Sequence, residues 1–65
     1  MKRFVKEYSK FRIDEINNLI ELSKFPATVE RLKNARSEIF QLVKACEKGL
    51  VTNDEAVRVI ASISF

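Results

Sequence analysis

The strongest constraint on this chain is its only glycine, Gly49, set in Lys48-Gly49-Leu50-Val51-Thr52-Asn53-Asp54-Glu55-Ala56. A residue without Cβ takes the left-handed conformation that closes a helix C-terminus at no steric cost. Thr52 and Glu55 then stand at the spacing of a capping box, in which the hydroxyl accepts from the Glu55 amide and the carboxylate accepts from the Thr52 amide. Val51 and Ala56 occupy the two ends of a hydrophobic staple around that cap. One helix must stop and another start within about four positions, and the rest of the chain has to fold back around the corner.

From Lys2 to Lys24 there is neither glycine nor proline. Apolar residues recur at helical spacing, first as Phe4, Tyr8 and Phe11, then as Ile13, Ile16, Leu19 and Ile20. The two sets point in different directions, so one long helix carries both only if its halves meet different neighbours. Pro26 disfavours the helical conformation at Phe25, which predicts an end near Lys24. A second helix, over about 27–48, begins either with Pro26 in its first turn or with Thr28 as cap. Its seam is Val29, Leu32, Arg36, Ile39, Val43 and Cys46, widened by Phe40 and Leu42. A third helix over 53–63 opens with Asp54 and Glu55 at its positive end and carries Ala56, Val59, Ile60 and Ile63. The expected fold is all-α: a long antiparallel helical hairpin plus a short third helix, in one domain spanning 1–65.

Composition narrows the class. The chain has 65 residues, 46% apolar and 32% charged, which is globular rather than disordered. No apolar run approaches the length of a membrane span or signal core, so a cytoplasmic location is the default expectation. One cysteine allows no internal disulfide, and a core this small gains from self-association. Of the net charge of +3, residues 1–12 hold five basic side chains against Glu7 alone, so the remaining residues sum to −1. Lys2, Arg3, Lys6, Lys10 and Arg12 are therefore the candidate anion contacts, for nucleic acid or an anionic membrane surface. The competing reading makes Phe4, Tyr8 and Phe11 core and the lysines their solvated face, because the third helix needs something to pack on.

Catalytic chemistry finds little to work with. There is no histidine, which removes the commonest general base and leaves Cys46 without an activating partner or a zinc set. Cys46 reads as a buried structural thiol. Asp14-Glu15 and Asp54-Glu55 are adjacent on helices and diverge by about 100°, so neither pair converges on a substrate. A phosphate-binding glycine loop is absent. The corner does not read as a DNA-binding helix-turn-helix either, since Lys44, Lys48, Glu55 and Arg58 fall where that motif buries apolar side chains. Neither an enzyme nor a cofactor is expected.

Residues 42–60, with Lys48-Gly49-Leu50-Val51-Thr52 followed by Asp54-Glu55, resemble the short helical hairpin called SHOCT. Ala56 departs from that pattern, which usually carries an aromatic there. The opening Met1-Lys2-Arg3-Phe4-Val5-Lys6-Glu7-Tyr8, together with Gly49-Leu50-Val51-Thr52-Asn53-Asp54-Glu55-Ala56, is similar to small uncharacterised proteins of bacterial mobile elements. These resemblances imply a helical oligomerisation or interaction module. The expected function is protein binding without catalysis, with a DNA-associated accessory role through the basic N-terminal helix as the alternative. A third helix half as long as the others would leave Ile13, Ile16 and Ile20, with Val29 and Leu32 opposite, as an uncovered patch. That patch predicts a homodimer interface.

Overall fold

The computed structural model describes residues 2–63, with side chains from Phe4 onward, and consists of three helices, α1 (Lys2–Leu22), α2 (Pro26–Glu47) and α3 (Asn53–Ser62). Among the described residues there is no strand. The shape is a rod of 37 × 17 × 16 Å, its length set by the α1–α2 hairpin.

The first connection settles the choice between Pro26 and Thr28. Phe25 is the extended N-cap of α2 (φ −106°, ψ 120°) with no side-chain cap bond, and Pro26 takes the first helical position. Its fixed φ suits that place, and its missing N–H would have been unsatisfied there anyway. The corner at Gly49 follows from its sequence. Gly49 has φ +78°, and its N–H donates to the Cys46 carbonyl (3.1 Å) while that of Leu50 donates to Ala45 (2.9 Å). This crossed pair is a Schellman closure. Thr52 Oγ1 then accepts from the Glu55 amide at 3.1 Å. The reciprocal carboxylate bond of a full capping box is not made among the described residues.

Two polar ties set the register of the hairpin. Lys6 Nζ lies 3.0 Å from Glu47 Oε1, and Arg36 Nη1 donates to Asn17 Oδ1 at 2.6 Å. Eleven residues separate the ties on each helix, so α1 and α2 run strictly antiparallel with Lys10 near Val43 and Ile13 near Phe40. Between the helices lie two apolar clusters. One joins Ile16, Leu32, Ala35, Ile39 and Ile60, with Tyr8, Ile13, Ile20 and Ile63 packed around it. The other, at the corner, joins Val5, Cys46 and Ala56, with Val51 and Val57 against it. The Cys46 thiol also donates to Asn53 Oδ1 at 3.0 Å, tying α2 to the first turn of α3.

The packing of α1 corrects two expectations. α3 borders Phe4 but buries neither it nor Phe11, which are 58% and 63% exposed, and of the aromatic set only Tyr8 packs on the core. The buried line is Val5, Ser9 and Ile16, continued by the half-buried Ile13 and Ile20. A straight rod facing one hairpin partner buries one stripe, and the line through Ile16 runs the whole length of α1, whereas the aromatic set stops after Phe11. The isoleucines are also not left open. Ile60 of α3 and Ile63 just past its end reach the same cluster as Ile16, and Ile16 and Leu32 are 0% and 2% exposed. Ile13, Ile16, Ile20 and Leu32 are therefore core, and Val29 is half-buried.

Candidate functional site

α1 presents two further faces. Along one, Phe4, Tyr8, Phe11, Glu15, Asn18 and Leu22 alternate by four and three residues, the spacing of a coiled-coil seam. Phe4 and Tyr8 stack with ring centroids 6.1 Å apart. Tyr8 leans into the core, but Phe11 and Leu22 (78% exposed) stand in solvent, as does Phe25 just past the helix end. Glu15 in mid-seam accepts from Arg12 Nη1 at 3.1 Å. The sequence carried this 4–3 alternation in plain view.

The other face, with α2, forms an open groove of about 390 Å³ lined by Lys6, Ser9, Lys10 and Ile13 of α1 and by Phe40, Val43 and Glu47 of α2. The Lys6–Glu47 pair lies across one end, and the Asn17–Arg36 bond joins the helices one turn beyond the other. From Lys6 to Ile13, at about 1.5 Å per residue, the lined trough is roughly 10 Å long. Its floor is apolar except for Ser9, which is 2% exposed and whose Oγ has no hydrogen-bond partner. Phe40, half exposed, stands on its α2 wall. Lys44 follows Phe40 at helical spacing along that wall, so Lys10 and Lys44 flank the groove on opposite sides.

The candidate anion contacts divide accordingly. Lys6 and Lys10 reach the groove, Lys6 through its bond to Glu47. Arg12 does not join them: its Nη2 donates to the Ile63 carbonyl at 2.8 Å, closing the end of α3. The side chains of Lys2 and Arg3 lie outside the described residues. Cys46 is buried at 4% exposure. Among the described residues no group of acidic, cysteine or histidine side chains is placed to hold a metal ion. None of the described helices is long and apolar enough to cross a membrane. Compared with known proteins, the chain matches no family model, and no curated protein or solved structure matches it either.

Proposed function

We propose that this chain is a protein-interaction module without catalytic activity that self-associates as a homodimer through the outward seam of α1. The observation that carries the reading is the exposure of Phe4, Phe11 and Leu22 on one helix face at coiled-coil spacing. Large apolar side chains scattered singly need no explanation, but a recurrent line of them on one face marks a contact. A two-fold axis brings the same line from a second copy against it. The pairing of Glu15 with Arg12 lowers the cost of placing a carboxylate in the seam. The SHOCT-like corner supports the same reading, since that resemblance implies a helical interaction hairpin.

Sedimentation tests it. At micromolar concentration the parent chain should show twice its mass of 7.5 kDa, and Phe11→Glu should sediment as a monomer with its helical spectrum unchanged. A parent that stays monomeric at every concentration overturns self-association. The DNA-associated reading draws support from Lys6 and Lys10 sharing a face with Lys44, while the diversion of Arg12 and the Lys6–Glu47 pair count against it. Weak, sequence-indifferent binding is the expectation for nucleic acid.

A further inference from the structure

We propose that the groove between α1 and α2 is a second binding face, whose occupant is an acidic amphipathic helix of another protein. Three observations converge on it. The trough is apolar along its floor, through Ile13, Val43 and the half-exposed Phe40, so it suits an apolar stripe rather than a phosphate backbone. Lys10 and Lys44 stand on its opposite rims and make no ion pair among the described residues, which favours carboxylates on the incoming surface. Ser9 lies in the floor with its Oγ unpartnered and covered in the free chain, and a small widening of the groove on binding brings it within reach of a polar group of the occupant. An unsatisfied buried hydroxyl costs stability in the free chain, and a partner that bonds it recovers that cost on binding.

Charge also excludes the simplest alternative. A second copy entering by the same face would set lysines against lysines. The lined stretch, roughly 10 Å from Lys6 to Ile13, is close to two helical turns, which is the span over which a helix places anchors at i, i+4 and i+7. This face is distinct from the α1 seam: Phe4 and Lys6, two residues apart, point about 200° apart around the helix. Occupation of one face does not block the other.

The test uses the full chain carrying Phe11→Glu, so that self-association does not enter the readout. The probes are a synthetic 14-residue amphipathic peptide with leucine and phenylalanine anchors flanked by glutamates, the same peptide with lysines in place of the glutamates, and a 20-base-pair duplex. Amide and methyl shifts of the labelled chain report where each binds. The acidic peptide should shift Ser9, Lys10, Ile13, Phe40 and Val43 and bind at least tenfold tighter than its lysine counterpart. Lys10→Glu with Lys44→Glu should weaken it tenfold or more. Ser9→Ala should weaken it several-fold while raising the melting temperature, a combination that simple loss of structure does not produce. The proposal is overturned if neither peptide binds, if both bind alike, if the shifts fall on Leu22 and Phe4, or if the duplex displaces the acidic peptide from the groove. Success or failure here leaves the sedimentation result for the α1 seam untouched.

Discussion

At Gly49 the penalty for a side chain lies in the backbone alone. A Cβ built there meets no atom within 4 Å, yet φ is +78°. Gly49→Ala should therefore destabilise by about 1–2 kcal/mol, the cost of holding an L-residue in the left-handed region. Thr52→Ala removes the side-chain bond that caps the N-terminus of α3 and should cost about 1 kcal/mol. Chemical denaturation of both variants checks the pair, and melting curves that overlay the parent would mean the corner contributes nothing to holding α3. Serine at position 9 works the other way. Its methylene fits the interhelical stripe while its hydroxyl finds no acceptor or donor, so the residue best explained by folding alone would have been alanine.

At the level of the element, α1 is where the register of burial is decided. Ile16→Ala should cost about 2–5 kcal/mol, since the side chain is wholly enclosed between α2 and α3. Phe11→Ala should change the stability of the monomeric chain by no more than about 0.5 kcal/mol, as for other exposed positions. Equal losses from the two would mean that α1 is turned to bury its aromatic side. That orientation is what sequence could not decide. The two caps at the corner, the proline start of α2 and the stripe Leu32, Ile39, Cys46 are local signals, readable one helix at a time. For α1, two apolar sets compete, and the winner depends on which lines up with a neighbour elsewhere in the chain. Ser9 lies inside the winning stripe and Arg12 borders it, where a polarity pattern argues against them. The same uncertainty hid the groove. Lys6 and Lys10 were legible as a basic segment, but Phe40 and Val43 join them only through the pairing set by Glu47 and Arg36.

As a whole molecule the chain is three layers thick at one end and two at the other. α3 lies alongside α1 only from the level of Phe4, near Asn53 and Val57, to that of Arg12, which bonds the Ile63 carbonyl. Beyond Ile20 the hairpin has no third helix, and Leu22 and Phe25 stand exposed at its tip. Resistance to opening should accordingly be graded along the 37 Å rod. Amide hydrogens of Ile16, Ile39 and their neighbours should exchange with deuterium only when the whole chain unfolds. Those of the first α2 turn, through Val29, should exchange far sooner, by fraying of the tip while the rest stays folded. Peptide-resolved exchange would show two kinetic classes, and a single class across α2 would mean that the tip opens only with the molecule. With a graded rod, the tip is where a protease would make its first cut, leaving the corner half intact long enough to be isolated.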